Sequence, residues 1–244
     1  MNVKDLLNLK TGDVISIVGA GGKTTFMYSL AEELRYENKV LVTTTTKIYM
    51  PHKKYYDFAI IDKNNLNKYN YKKDNGIYLY GSSLNEEQKI VGLSTELIET
   101  QLPYFNYVLI EADGSKRKPI KGWKDNEPVI SKKTCKTIGI LSIEVLGKKI
   151  NSENVHRLDE FKRITSFKDN ELINIECLTS LVFHHKGLFK DAEGEKVLFI
   201  NKVDSEAEFI IAKKLVNNIL ENNNNYIDRI LIGSLKNKQY QLII

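Results

Sequence analysis

Lys23 and Thr24 close a glycine-rich run, Gly19-Ala20-Gly21-Gly22-Lys23-Thr24-Thr25, that is suited to holding a phosphate chain. Phosphate oxygens need several backbone N–H groups converging on them, which only an uncrowded loop allows, with the positive end of a helix behind. Lys23, read as a surface-loop cation, would bridge the outer phosphates, and the Thr24 hydroxyl would ligate Mg²⁺. The full G-x-x-x-x-G-K-[ST] pattern asks for glycine at position 17, where this chain has Ile17. The plain alternative is a glycine turn beside a stray lysine; a buried strand before the run and a helix after it favour the phosphate loop.

Two further segments carry chemistry. Val108-Leu109-Ile110-Glu111-Ala112-Asp113-Gly114 is an apolar strand ending in carboxylates, the arrangement that orients Mg²⁺ in phosphate-loop proteins. Glu111 directly follows the apolar run and is assigned to the metal; Asp113 would stand at the γ-phosphate or the attacking water. Asn201-Lys202-Val203-Asp204 has the N-K-x-D form. A carboxylate at Asp204 would accept from guanine N1–H and the 2-amino group, a pair of donors adenine lacks. Asn201 would meet the imidazole edge or brace the loop, while the Lys202 stem covers the ring. Each acidic segment alone is also ordinary loop chemistry.

Three lesser clusters complete the inventory. Thr43 to Thr46 with Lys47 could reach metal or γ-phosphate, or simply form a strand end. Lys116, Arg117, Lys118, Lys121, Lys124, Lys132 and Lys133 form a basic stretch, read as a solvated charge run rather than a phosphate lid or a docking loop for an acidic partner. His184 and His185, in a presumed helix, would project in different directions, and with His156 they match no zinc spacing.

The elements that must position these residues alternate between strand and helix. Val14 to Val18, Val40 to Val42 and Tyr107 to Ile110 read as buried strands, with lesser ones at Phe58–Ile61 and Ile77–Tyr80 and another from Thr137 to Ile143. Met27, Leu30, Ala31 and Leu34 recur at helical spacing, predicting a helix from about Thr24. Near the end, Val197 to Ile200 is a strand, Ser205-x-x-Glu208 a capping box, Phe209, Ala212, Val216 and Ile219 a helix face, and Ile227 to Ile232 a strand. The expected fold is α/β: a mostly parallel sheet with flanking helices, in phosphate-loop NTPase architecture. Residues 1–244 read as a single domain, with 145–195, where the strand rhythm lapses and Ile173 to Phe183 looks helical, the candidate inserted helical region.

At 244 residues the chain can bury a full core, and 42% hydrophobic with 27% charged residues excludes the disordered class. The charge of +5 suits an anionic small ligand, without the concentrated basic face and stacking aromatics of a nucleic-acid binder. Residues 1–13 hold no long apolar run, so no signal peptide is expected, and no apolar run is long enough for a membrane span. Cys135 and Cys177 make no disulfide framework, which points to the cytoplasm.

Taken together, the motifs resemble the selenium-dependent hydroxylase accessory proteins of the YqeC type. The matching stretches are Val18 to Thr25, Thr43 to Lys47, Glu111 to Ser115, Pro119, Glu127-Pro128-Val129-Ile130, Asn154-Val155-His156-Arg157, Gly187 and Asn201 to Asp204. Leu158 and Lys186 stand where that family often has proline. The resemblance implies a maturation factor for molybdenum hydroxylases that carry labile selenium, with an apo-hydroxylase or its cofactor carrier as partner. The strand carboxylate with N-K-x-D also looks like the GTPases that insert nickel into hydrogenase and urease. The expected activity is that of an NTPase using Mg²⁺ with GTP, or with ATP. One alternative is an ATP-dependent ligase, since the loop is similar to that of Mur ligases; another is a nucleotide-binding scaffold without turnover.

Overall fold

The computed structural model describes residues 2–69 and 72–244. Met1, which begins the stretch read for a signal peptide, lies outside them. Along the chain run α1 (Val3–Leu6), β1 (Val14–Gly19), α2 (Lys23–Leu34), β2 (Lys39–Thr44), β3 (Lys47–Tyr49), β4 (Phe58–Ile61), β5 (Gly76–Gly81) and β6 (Ser83–Leu84). Then come β7 (Lys89–Val91), α3 (Thr95–Gln101), β8 (Tyr107–Glu111), β9 (Ile120–Lys121), β10 (Lys136–Ser142), β11 (Val155–His156) and α4 (Leu158–Thr165). The last elements are α5 (Ile175–Phe183), β12 (Glu195–Asn201), α6 (Glu206–Glu221), β13 (Arg229–Ser234) and β14 (Gln239–Leu242).

The central sheet has the order β14-β13-β12-β10-β1-β8-β2-β5-β4, parallel throughout except for β14. Its inner strands are buried on both faces, and successive residues feed different layers. Ile15 and Ile17 of β1, Ile138 and Ile140 of β10, and Val197 and Phe199 of β12 pack with Phe26, Met27, Leu30 and Leu34 of α2. Leu141, Leu198 and Ile200 point the other way, onto α4, α5 and α6. On the β2–β5–β8 half of that second face, Leu41, Tyr78, Val108 and Ile110 pack with Ile98 of α3. This is the expected α/β class.

Phe161 and Ile164 of α4 and Leu178 and Leu181 of α5 share one apolar cluster with Val18 of β1 and Leu198 of β12. The 145–195 stretch therefore packs directly onto the main sheet. The expected capping box caps α6: the Ser205 hydroxyl accepts the Glu208 N–H, and Glu208 accepts the Asp204 N–H and the Ser205 hydroxyl. No helix among the described residues is long and apolar enough to cross a membrane.

Chain direction decides where a ligand can sit. From β1 the chain moves to β2 on one side of the sheet, whereas β10 leads to β12 and β13 on the other. The gap this reversal opens beyond the carboxyl ends of β1, β8 and β10 is where open α/β sheets bind ligands. Residues 19–25 lie there, directly after β1.

Candidate functional site

The loop after β1 owes its shape to close packing. Gly19, Gly21 and Gly22 all have positive φ, at 98°, 83° and 140°. A Cβ on Gly21 would lie 2.4 Å from Ser142 Cβ, and one on Gly22 would lie 2.4 Å from Asn201 Nδ2. Only glycine lets β10 and β12 close in beneath the loop at these points. Among the described residues, the N–H groups of Gly21, Gly22, Lys23, Thr24 and Thr25 find no acceptor. Five consecutive free donors at the start of a 12-residue helix form a cradle for an anion.

Thr24 and Glu111 meet beside that cradle, the hydroxyl donating to Glu111 Oε2 at 2.6 Å. The parallel pairing of β1 with β8 brings this about, since it sets Ile17 against Glu111. Burial raises Glu111, with Lys23 and the Thr24 hydroxyl pulling the other way. A hydroxyl and a carboxylate on the wall of an open cleft suit Mg²⁺, which prefers oxygen ligands, keeps several waters and shares them with substrate phosphates. No group of three or more His, Cys, Asp or Glu side chains placed to hold a metal ion occurs among the described residues.

Lys23 differs from the sequence reading. It is 3% exposed rather than a surface-loop charge. Its ammonium donates to Gly19 O at 2.7 Å and lies 3.2 Å from Asp113 Oδ1 and 3.7 Å from Glu111 Oε1. Burial works against that charge, but the two carboxylates outweigh it and raise the lysine.

Asp113 differs more. Expected at the γ-phosphate or the attacking water, it is fully buried and does not line the cleft. Its Oδ2 accepts the Gly19 N–H at 3.1 Å and the Trp123 indole N–H at 2.6 Å, with Lys121 Nζ at 3.1 Å. Burial alone would push Asp113 up, yet Lys23, Lys121 and the two N–H donors hold it below the usual range. With Oδ2 held by Gly19, Trp123 and Lys121 and Oδ1 in ion-pair contact with Lys23, Asp113 sits at the base of the loop, away from the cleft wall.

The N-K-x-D residues separate into distinct roles. Asn201 is buried, donating to Gly21 O at 2.8 Å and accepting the Leu235 N–H at 3.3 Å, so it braces the loop. Lys202 lines the cleft and pairs with Glu144. Asp204 is exposed and outside the cleft lining, with Oδ1 accepting the Ser234 hydroxyl. Of the threonines, Thr43 and Thr44 are buried, donating to Tyr80 O and Glu111 O, whereas Thr45 and Thr46 line the cleft.

The basic stretch is not uniformly solvated. Lys121 is fully buried between Asp113 and Glu127, Lys116 to Lys118 line the cleft, and Lys132 is 83% exposed. His184 and His185 are not in a helix, because α5 ends at Phe183; their rings stack with centroids 4.4 Å apart. Sequence reasoning did not assign Trp123 or the Arg157–Glu127 pair, which closes at 2.8 Å. Trp123 is the only tryptophan in the chain, and a buried indole N–H needs an acceptor, which is the signal that could have found its link to Asp113.

A family model described as YqeC protein matches residues 15–159, which include the loop, Glu111, Asp113 and Arg157 but not Asn201 to Asp204. The curated "Uncharacterized protein YqeC" of Escherichia coli (strain K12) is 36% identical over 216 residues, covering 86% of this chain and 84% of that protein. No solved structure matches.

Proposed function

This chain belongs to the YqeC family, and we propose that it is a Mg-dependent nucleoside triphosphatase, preferring GTP, that serves the maturation of a molybdenum hydroxylase. The observation that carries the nucleotide reading is the row of five unpaired N–H groups at the start of α2. In this reading the phosphates lie on that row and Lys23 supplies the positive charge beside them. Thr24 and Glu111 would hold Mg²⁺, which supplies charge neutralisation at the phosphates. Glu111 would orient the water that attacks the γ-phosphate in line. Asp113 and Asn201 position the loop from below and touch no substrate. The motif resemblance supports the hydroxylase role, with an apo-hydroxylase or its cofactor carrier as the candidate partner.

Glu111→Gln separates binding from turnover. Nucleotide affinity should stay within about tenfold, because loop and Lys23 remain. Hydrolysis should fall about a hundredfold or more. The fold should tolerate the change, since burial already disfavours the Glu111 charge. Single-turnover hydrolysis of GTP and ATP, with and without apo-hydroxylase, measures this; undiminished turnover would remove Glu111 from the mechanism.

Preference for guanine rests on Asp204, which Ser234 orients through Oδ1. Wild-type protein should bind GDP more tightly than ADP. Removing the carboxylate leaves two guanine donors unpaired, worth about 1–3 kcal/mol. Asp204→Asn should therefore weaken GDP about tenfold or more and favour XDP, whose 2-oxo group accepts from the new amide. Competition among GDP, ADP and XDP decides the matter: an ADP-preferring wild type, or an unchanged ranking in the variant, would move the ATP-dependent ligase reading ahead.

A further inference from the structure

The cleft beside the loop is larger and more cationic than one nucleotide requires. Its volume is about 1320 Å³, against roughly 300–1,000 Å³ for a typical small-ligand pocket. Nine lysine and arginine side chains line it with only four glutamates. Each glutamate is already taken: Glu111 by Lys23, Glu87 by Lys89, Glu127 by Arg157 and Glu144 by Lys202. Among the described residues, Lys47, Lys116, Arg117, Lys118 and Lys148 have no carboxylate within 4.0 Å. Cations that line one cleft without an ion-paired carboxylate repel one another, and a bound anion relieves that repulsion.

Backbone conformation adds an independent sign. Lys116, Arg117, Arg157 and Lys202, all lining this cleft, adopt left-handed φ values of 48°, 61°, 61° and 64°. Long side chains rarely adopt that region, and such strain gathers where side-chain direction matters to a ligand. The Arg117 guanidinium is further held over the Tyr49 ring, 4.0 Å from its centroid. His156 lines the same wall and is only 8% exposed, yet among the described residues its ring has no hydrogen-bond partner. Burial, with Lys121 and Arg157 nearby, pushes it down to about 4, so at neutral pH it is an uncharged ring with one N–H to donate.

We propose that this wall, formed by Lys116, Arg117, His156 and Arg157, is a second binding site that takes a phosphorylated small molecule alongside the nucleotide. A compact ligand fits best, since it can reach the nearly enclosed His156 while meeting the exposed Lys116 and Arg117. The site rests on the nucleotide reading of residues 19–25 only in that both ligands are held at once.

The test uses inorganic pyrophosphate as probe, titrated calorimetrically into protein saturated with Mg-GDP. One further equivalent should bind. In the Lys116→Gly/Arg117→Gly double variant, pyrophosphate affinity should fall about tenfold or more, with GDP affinity unchanged. Glycine occupies both left-handed positions without strain, so the melting temperature should equal or exceed that of wild type. No additional equivalent, one-for-one displacement of GDP by pyrophosphate, or equal affinity in the double variant would overturn the proposal. A wild type that takes up no nucleotide, yet binds one pyrophosphate lost in the double variant, would refute the nucleotide reading of the loop while upholding the second site.

Discussion

Asp113→Ala is expected to destabilise the protein by about 3–5 kcal/mol, the usual cost of breaking a buried charge pair from one side. The reason lies in what the carboxylate leaves behind. Lys121 is fully buried and would keep Glu127, at 3.5 Å, as its one carboxylate beside the Gly114 carbonyl; Lys23 would keep Glu111, at 3.7 Å, beside the Gly19 carbonyl. The Gly19 and Trp123 N–H donors would lose their shared acceptor as well. Urea unfolding at pH 7 measures the loss, and a cost below about 1 kcal/mol would mean the clamp contributes no more than a surface pair. The sign of the pH dependence gives a second check. Asp113 is held below its ordinary value near 3.8, so its contribution is present above that pH and fades as pH falls through the folded value. The gap between wild type and Asp113→Ala should therefore narrow below about pH 4. Glu111 has the opposite sign: its folded value is raised above 4.5, so its share of stability is full at lower pH and is lost as pH rises through that folded value.

Lys23→Ala is expected to weaken Mg-nucleotide binding about a hundredfold, as befits loss of a desolvated charge-assisted contact to phosphate. It should also cost about 2 kcal/mol of stability, less than a broken buried pair usually does. Asp113 retains Lys121, and Glu111 can take a proton because burial already favours its neutral form. The two effects are separable. Equilibrium binding measured well below the unfolding temperature reports the first, and chemical denaturation reports the second. Wild-type nucleotide affinity in a folded Lys23→Ala protein would end the phosphate-loop reading. Unchanged stability would show instead that the buried lysine is no net contributor to the fold.

Much of the architecture is legible in the chain itself. Short, nearly continuous apolar runs mark β1, β8, β10 and β12 as strands buried on both faces, and the 3.6-residue spacing from Met27 to Leu34 marks α2, because each pattern reports which faces of a local element must leave water. The meeting of Thr24 with Glu111 could be anticipated too, since glycine loop and strand-end acid both belong at the carboxyl edge of a parallel sheet. What the sequence could not separate was residues of one type in one local setting. Glu111 and Asp113 stand two positions apart at the same strand end; one lines the cleft and the other is sealed beneath it by Trp123 and Lys121. Lys121 and Lys132 belong to the same basic run, yet one is fully buried and the other 83% exposed. Arg157 joins Glu127, and His156 reaches the cleft, only through the pairing of β11 with β9. Burial and ion pairing are sums over neighbours that arrive from distant parts of the chain, so the charges that hold this site took their roles only when the sheet brought those neighbours together.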